Sequence, residues 1–255
     1  TAFKVTLYGS LAATGKGHMT NIAITEVLQP VAPVEIIWEP KIFLPFHPNG
    51  MKFVSVDKEG KETDQWVVFS IGGGALAEES DGASSVNTPD VYSMNSMTEI
   101  LQWCERTGKS YWEYVKECED SDIWDYLQEV WKTMQNAVKR GLEQEGVLPG
   151  PLNLRRKAST YYIRASGYKQ SLQSRGLVFA YALAVSEENA SGGVIVTAPT
   201  CGSCGVMPAV LYHLAKSREF SDTRILRALA TAGLVGNIVK TNASISGAEV
   251  GCQGE

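Results

Sequence analysis

The cysteine best suited to chemistry in this sequence is Cys252. It lies in the run from Asn242 to Glu255, where small, polar and glycine residues follow a long apolar stretch. A thiolate on a glycine-flanked loop lets a bulky cofactor approach the backbone closely. Because one cysteine does not hold a metal cluster alone, the run predicts a metal site whose other ligands lie elsewhere.

A second thiol pattern is Cys201-Gly-Ser-Cys204, in a glycine-rich turn that leads into a helix. Such a turn points amides and a positive dipole at a bound group and lowers the pKa of a thiol. A closed zinc site needs four ligands, and the chain has no second such pair. The two thiols remain candidates for extra metal ligands, redox thiols or small polar filler, and we favour filler. Cys104 and Cys118 lie on amphipathic stripes and are predicted to be core residues.

Two of the three histidines lie beside turn-forming residues. The stretch from Gly9 to His18 resembles a phosphate loop, but five residues rather than four separate Gly9 from Gly15. In addition, Gly17 follows Lys16 where that motif needs Ser or Thr. Two interpretations of His18 are therefore open. Either its imidazole is exposed and oriented for a function, or it is a surface histidine in a turn without one. His47 precedes Pro-Asn-Gly, which alone explains a turn. His213 has the spacing of a helix residue and is interpreted as structural.

The elements that would position these residues change character along the chain. Alternation in Phe3, Val5 and Leu7 predicts a strand, and a short helix is expected over 20–27. Further strands are predicted at 34–38, 51–56 and 66–71, with a hairpin loop over 57–61. Residues 72–96, rich in Gly, Ser, Asn and Asp, are interpreted as a linker.

After this linker the pattern becomes helical. Ser96 with Glu99, and Ser110 with Glu113, have the spacing of capping boxes. A long amphipathic helix is expected from Ile123 to about Gly141, and apolar helices over 177–186 and 223–239. In the last of these, Gly233 and Gly236 are expected to let a neighbouring backbone come close. The predicted fold class is α+β, with a small α/β domain over 1–75, a linker over 76–96 and an all-helical domain over 97–255.

Size, charge and composition limit the function. The chain has 255 residues, a formal net charge of −5 and a pI near 5.4, so it lacks the basic surface of a nucleic-acid-binding protein. The basic cluster at 155–157 is interpreted as a solvated loop. No apolar run reaches the ~20 residues of a membrane helix. Five cysteines, an odd number, favour free thiols or ligands over a disulfide framework. Because the chain lacks an initiator Met and ends inside a motif, we expect it to be a fragment.

Taken together, several segments resemble the iron–sulfur L-serine dehydratases, the PLP-independent L-serine ammonia-lyases. The match runs along nearly the whole chain in the family's order. The segments that carry it are Leu7-Tyr-Gly-Ser-Leu-Ala12, Gly15-Lys-Gly-His18, His47-Pro-Asn-Gly-Met51, Ser70-Ile-Gly-Gly-Gly74, Glu187-Glu-Asn-Ala-Ser-Gly-Gly193, Thr197-Ala-Pro-Thr200 and Asn242 to Glu255.

The resemblance implies a [4Fe–4S] cluster bound by three thiolates, with one iron open to act as a Lewis acid on the substrate hydroxyl and carboxylate. Cys252 matches the first of these ligands, and the other two are expected beyond Glu255. A base removes the α-proton of L-serine, and the resulting aminoacrylate tautomerises to an imine that hydrolyses to pyruvate and ammonia. The family also implies a cytoplasmic homodimer of amino-acid catabolism and gluconeogenesis, with a first domain that resembles an allosteric substrate-binding module.

The resemblance also implies roles for individual residues. His18 matches the histidine of the family's Gly-Lys-Gly-His motif and is the candidate base, since an imidazole transfers protons near neutral pH. The candidate substrate contacts are Lys16, His47, Asn49, Thr200, Asn242 and Ser244. Cys201 and Cys204 stay as uncertain additional metal ligands.

The sequence departs from the family pattern at two places. The family commonly has His-Gly-Thr-Asp where this chain has His18-Met-Thr-Asn21, and the loss of the carboxylate weakens the orientation expected for the histidine. The family's Ala-Pro-Thr is usually followed by a residue other than cysteine, whereas Cys201 follows here.

Two alternatives remain open from the sequence. One is a related lyase that eliminates a β-substituent from L-cysteine or a similar amino acid. The other is a non-catalytic fragment that binds a small amino acid. A PLP enzyme is disfavoured, and Lys240, beside the run from Asn242 to Glu255, is the lysine that would form its Schiff base.

Overall fold

A computed structural model describes residues 1–72, 75–79, 91–150, 152–197 and 201–242. The described part of the chain falls into two compact units, residues 1–79 and residues 91–242. The first unit carries a five-stranded sheet and the second consists mainly of helices. The mixed α+β class expected from the sequence is confirmed. The domain boundaries at 75 and 96 and the truncation stay predictions.

The sheet of the first unit has the strand order β2-β1-β3-β4-β5. Its strands are β1 Ala2–Tyr8, β2 Val34–Glu39, β3 Gly50–Val56, β4 Glu62–Gly72 and β5 Ala75–Ala77. Strands β1 and β2 are parallel, and every other neighbouring pair is antiparallel. The crossover between β1 and β2 consists of helices α1 Gly9–Thr14 and α2 Thr20–Leu28, since a parallel pair needs a long connection.

Alternation along β1 gives the first unit its core. Val5 and Leu7 are fully buried and pack with Ala12 of α1, Met51 of β3 and Val68 of β4. The predicted hairpin over 57–61 is also present, because the Asp57 carboxylate accepts the amide protons of Glu59 and Lys61 at 2.9 Å each.

Strand β5 lies inside the segment that was interpreted as a linker. Glycine and small residues led to that interpretation, but Leu76 pairs with Ser70 and Ala77 with Phe69 across an irregular register. The linker interpretation is therefore wrong at 75–77. An unpaired edge of β4 accepts even a three-residue strand, because pairing satisfies its backbone groups. Residues 80–90 lie outside the described part of the chain.

The second unit contains seven helices in its described residues. They are α3 Met97–Thr107, α4 Tyr111–Cys118, α5 Ile123–Glu143, α6 Ala158–Ser166, α7 Gln170–Ala190, α8 Val206–Ser217 and α9 Asp222–Asn242, with one turn of 3₁₀ helix at Cys201–Ser203. The capping box of Ser96 and Glu99 is confirmed in both directions. Glu113 likewise accepts the amide proton of Ser110 at 2.9 Å.

Helix α7 is the element against which its neighbours pack most closely. A Cβ on Gly141 of α5 would lie 2.2 Å from the Ala184 carbonyl oxygen, and one on Gly205, just before α8, would lie 2.5 Å from the Ala182 carbonyl oxygen. These approaches are too close for any side chain, so glycine is required at both positions. The core around α7 includes Trp131, which is 1% exposed.

Two predictions about the long helices need correction. Helices α7 and α9 are longer than the apolar runs 177–186 and 223–239, because polar first and last turns extend them. No neighbouring backbone approaches Gly233 or Gly236 among the described residues, since a Cβ at either would meet nothing within 4 Å.

Candidate functional site

The loop that carries His47 and Asn49 is joined to the end of β1 by backbone hydrogen bonds. The Gly9 amide donates to the Ile42 carbonyl at 2.8 Å, and the Ser10 amide donates to the Pro48 carbonyl at 3.1 Å. Gly9 has φ of 49°, and a Cβ there would lie 2.5 Å from the Pro48 carbonyl oxygen. Only glycine combines this left-handed backbone with so close a contact.

His47 and Asn49 are fixed against each other and against β4. The Asn49 amide donates to His47 Nδ1 at 3.1 Å, which places the proton of a neutral imidazole on Nε2. Asn49 Nδ2 donates to the Ser70 carbonyl at 3.3 Å, and the Ser70 amide donates back to the Asn49 carbonyl at 3.0 Å. Three of the segments that carry the family resemblance therefore meet in one place. We call Gly9, Ser10, His47, Asn49 and Ser70 the first-unit corner.

His18 and Lys16 lie in the turn between α1 and α2. Both side chains are exposed. The His18 amide donates to the Thr14 carbonyl at 3.2 Å, so the backbone that carries the imidazole continues the end of α1. Lys16 Nζ lies 5.3 Å from the centre of the Trp38 ring, within the range of a cation–π contact. The His18 imidazole is accessible for proton transfer, whereas the Lys16 ammonium group is in contact with the Trp38 ring.

The first departure from the family pattern coincides with an unusual backbone conformation. Met19 has φ of 58° and ψ of 25° and precedes the first residue of α2. This left-handed region costs about 1 kcal/mol for a residue with a side chain and is open to glycine. The left-handed backbone at position 19 thus favours glycine, which the family commonly has there, but this chain has Met19.

Cys201 and Cys204 differ strongly in their surroundings. Cys201 is exposed, whereas Cys204 is 2% exposed and packs in the helical core. Burial raises the pKa of the Cys204 thiol to about 11. A position in the helical core is what the filler interpretation expects, and a ligand role for Cys204 stays a prediction. Cys104 and Cys118 pack against the same core, as predicted, and burial raises the pKa of each.

Asn242 is the last described residue of α9. Its Nδ2 donates to the Asn95 carbonyl at 3.2 Å and to the Ile238 carbonyl at 2.9 Å. The side chain therefore ties the end of α9 to the residue that precedes the Ser96 cap of α3. The other candidates in this region, Thr200, Ser244 and Cys252, lie outside the described residues.

The last turn of α7 carries two buried carboxylates whose roles the sequence did not reveal. Glu187 is 5% exposed, and its Oε1 accepts the amide protons of Lys157 at 2.6 Å and Ala158 at 3.2 Å. These are amides at the start of α6, where Lys157 supplies no side-chain cap. Glu187 therefore caps α6 from another helix, and its negative charge faces the positive end of that helix dipole.

Glu188 is 6% exposed and forms ion pairs with two arginines. Arg140 Nε of α5 lies 2.9 Å from Glu188 Oε2, and Arg156 Nη1 lies 3.7 Å from Glu188 Oε1. Arg156 Nη2 also donates to Ser191 Oγ at 2.5 Å. The side chain of Arg156 is only 10% exposed. The interpretation of residues 155–157 as a solvated loop is therefore wrong for Arg156.

Sequence reasoning missed these residues for a physical reason. Their partners lie 29 to 48 positions away along the chain, so no local period or turn pattern reveals them. The one available signal was the pair Glu187-Glu188 at the end of an apolar helix, because carboxylates on a buried face need partners.

Comparison with known proteins extends these observations to the family. A family model described as "Serine dehydratase alpha chain" matches residues 55–255. The chain belongs to this family. It is 36% identical to the L-serine dehydratase of Haemophilus influenzae and 37% identical to L-serine dehydratase 1 of Escherichia coli, each over 100% of the chain. The L-serine dehydratase of Streptomyces coelicolor is 35% identical over 99% of the chain.

The chain spans 65% to 66% of the length of these three relatives. The part of this family member that the structure describes contains no group of three or more His, Cys, Asp or Glu side chains able to hold a metal ion. Cys201 and Cys204 belong to no such group within the described residues, and their role as additional metal ligands stays a prediction. None of the described helices is both long and apolar enough to span a membrane.

Proposed function

We propose that the protein is an iron–sulfur-dependent L-serine dehydratase that converts L-serine to pyruvate and ammonia. The observation that carries this proposal is the 36% to 37% identity, over the whole chain, to proteins named L-serine dehydratase. The first-unit corner supports it, because Gly9, Ser10, His47, Asn49 and Ser70 belong to separate segments of the family pattern and are hydrogen-bonded together.

In the proposed reaction, His18 takes the proton from the α-carbon of L-serine. Its exposed imidazole can receive a substrate without rearrangement of the α1–α2 turn. Loss of the α-proton and of the β-hydroxyl, which leaves as water, gives aminoacrylate, and the tautomeric imine is hydrolysed to pyruvate and ammonia. A [4Fe–4S] cluster held by Cys252 and further thiolates would supply the Lewis acid for the departing hydroxyl.

The remaining candidates would bind and orient the substrate. Asn49 and His47 are well suited to this, because the corner fixes both side chains before any ligand arrives. Pre-organised polar groups bind with a smaller entropic cost than mobile ones. Lys16 would leave its contact with the Trp38 ring and bind the substrate carboxylate. The other proposed contacts are Thr200, Asn242 and Ser244.

The proposal also covers the setting of the reaction. We place the protein in the cytoplasm as a homodimer that acts in amino-acid catabolism and gluconeogenesis, without a nucleic-acid or membrane partner. No observation favours the alternatives of an L-cysteine lyase or a non-catalytic amino-acid-binding fragment.

The test is an assay of the full-length protein purified without oxygen. It should be brown, contain iron and acid-labile sulfide, and release pyruvate from L-serine. His18→Asn should lower kcat by about 10²- to 10⁴-fold, as expected for loss of a general base, while iron content stays unchanged. His213→Asn, in helix α8, is the matched control and should keep most of the activity. A colourless protein with full activity, or a His18→Asn variant as active as the control, would overturn the mechanism.

A further inference from the structure

Strand β2 forms one edge of the sheet in the first unit, and β5 forms the other. The two edges differ in length, because β5 has three residues and β2 has six. An edge strand presents a row of unpaired N–H and C=O groups, and a very short strand limits that row. Among the strands that the structure describes, β2 is therefore the edge that offers the longer row to another strand.

The backbone groups of β2 that point away from the sheet belong to its even-numbered residues. The Phe3 amide donates to the Pro33 carbonyl at 2.8 Å, and Phe3 is in register with Val34. In a parallel pair, a residue placed in this way bonds to the two residues that flank its register partner, so the odd-numbered residues of β2 face β1. Backbone direction alternates along a strand, so Val34, Ile36 and Trp38 point outward. We call these three residues the outer edge of β2.

Little protects this outer edge. Within the part of the chain that the structure describes, no backbone group hydrogen-bonds to it from outside the sheet. The strand reads Val-Glu-Ile-Ile-Trp-Glu, without the lysine or proline that commonly blocks an edge, and its register with β1 has no bulge. Val31, in the turn that enters β2, is 75% exposed and adds apolar surface next to the strand.

The outer edge is complementary to a second copy of itself. In an antiparallel pair centred on Ile36, Val34 lies opposite Trp38 of the second copy, and Ile36 lies opposite Ile36. All of these residues point their backbone groups outward, so each pair exchanges both of its N–H···O bonds. On the other face of the strand, Glu35 lies opposite Ile37 of the second copy, and no carboxylate faces another.

The two glutamates of β2 exclude the neighbouring registers. A shift of two residues in one direction sets Glu35 opposite Glu35 of the second copy, and a shift in the other direction sets Glu35 opposite Glu39. Like charges directly opposite each other destabilise a strand pair. A shift of one residue sets outward backbone groups against inward ones and leaves them without partners. Hydrogen bonding and charge therefore favour the same register.

We propose that two copies of the protein pair through the outer edge of β2, antiparallel and centred on Ile36, into one continuous sheet. The partner is a second copy of this chain, because the same six residues satisfy both the hydrogen bonds and the charges of the pair. The inference rests on the proposed function only for the homodimer, to which it assigns a surface. It does not depend on the reaction.

The test compares two charges at position 37 in the full-length protein. Ile36 and Trp38 pack against the core of the first unit, and Ile37 between them points to the opposite face, so its substitution leaves that core intact. Ile37→Glu sets a carboxylate opposite Glu35 of the second copy, twice in each dimer, whereas Ile37→Lys sets an ammonium group there. Sedimentation velocity over a range of concentrations gives the Kd of each dimer. We expect Kd to be at least about tenfold higher for Ile37→Glu than for Ile37→Lys.

A double variant restores the complementarity with the charges exchanged. Glu35→Lys combined with Ile37→Glu again sets opposite charges against each other, so its Kd should return to within about threefold of that of Ile37→Lys. This result separates a cross-strand contact from a general effect of negative charge on association.

Hydrogen exchange resolved to single residues tests the geometry without a variant. In the wild type, the amides of the outer edge should exchange more slowly as the protein concentration rises through Kd. The amides of residues 35 and 39, which face β1, should be protected at every concentration. This alternation follows from edge pairing alone, and it keeps the test available if Ile37→Glu does not fold.

Each outcome decides a separate point. Equal Kd values for Ile37→Glu and Ile37→Lys would show that another surface holds the dimer and would overturn the inference. Fast exchange at the outer edge in a dimeric wild type would do the same. A monomeric wild type would overturn the homodimer and this inference together, even if it releases pyruvate from L-serine. A dimer with the expected charge dependence that releases no pyruvate would overturn only the proposed reaction.

Discussion

The first-unit corner and the last turn of α7 both hold candidate functional segments in place, but they use different bonds. In the corner, main-chain groups of Gly9, Ser10, Asn49 and Ser70 form most of the contacts. In α7, long charged side chains reach across to other helices. Apart from Gly9, the positions that make backbone contacts keep those contacts when the side chain is changed, whereas a network of buried charges depends on each of its members. The two regions should therefore respond very differently to single substitutions.

The largest effect is expected from Glu188→Ala. Removal of this carboxylate leaves the largely buried Arg156 unpaired, and breaking a buried ion pair costs about 3–5 kcal/mol. Urea unfolding should show the loss in free energy of unfolding. Glu143→Ala, at the exposed end of α5, should change it by less than about 0.5 kcal/mol. Equal effects of the two variants would show that the α7 network adds nothing beyond a surface charge.

A second test concerns the close packing on α7. Gly141→Ala places a Cβ against the Ala184 carbonyl and should destabilise the protein by about 1–3 kcal/mol. Gly233→Ala, in the interior of α9 where a Cβ meets open space, should stabilise by up to about 1 kcal/mol, because alanine favours helix. The same substitution thus has opposite signs at two helical positions, measurable as shifts of Tm. A gain at both would mean that α5 and α7 are not in close contact.

In the first-unit corner, Asn49→Ala should be milder than Glu188→Ala. It removes the bond from Nδ2 to the Ser70 carbonyl but leaves both backbone bonds of residue 49, so we expect a loss of about 1 kcal/mol in denaturant unfolding. Gln65→Ala, on the exposed part of β4, is the control. A loss as large as that of Glu188→Ala would contradict the contrast between the two regions.

The smallest effect is expected at Met19. Met19→Gly removes the side chain from a left-handed backbone and should raise the free energy of unfolding by about 0.5–1 kcal/mol, since glycine adopts this region at little cost. Ala13→Gly, in the right-handed helix α1, should instead destabilise by a similar amount. A destabilising Met19→Gly would mean that the methionine side chain contributes contacts that exceed its backbone strain.

The same contrast explains what the sequence could predict. The predicted strands and the capping of Ser96 and Ser110 depend on residues close together in the chain, and all are present. Gly50, which was expected in a turn, is instead the first residue of β3. Helix α6 was not predicted. Its first turn depends on Glu187, and its apolar face is short. The network of Arg140, Arg156 and Glu188 joins residues that local patterns do not relate.

The sequence also could not separate similar residues with different surroundings. Cys201 and Cys204 are three positions apart in one motif, yet one is exposed and the other is in the core. Only the packing of the turn before α8 distinguishes them. The family resemblance identified the segment Glu187–Gly193, but it did not indicate which residues its side chains bind. Those partners are visible only in the tertiary contacts.

The cap that Glu187 places on α6 has a consequence for the order in which the protein takes shape on the ribosome. Helix α6 is synthesised first, but the carboxylate that closes its first turn comes 29 residues after Ala158. At elongation rates of about 5–20 residues per second this interval is about 1.5–6 s, far longer than the microsecond needed for a helix to form and melt. The nascent α6 must therefore fray and re-form many times until the end of α7 arrives, so the two helices become stable together.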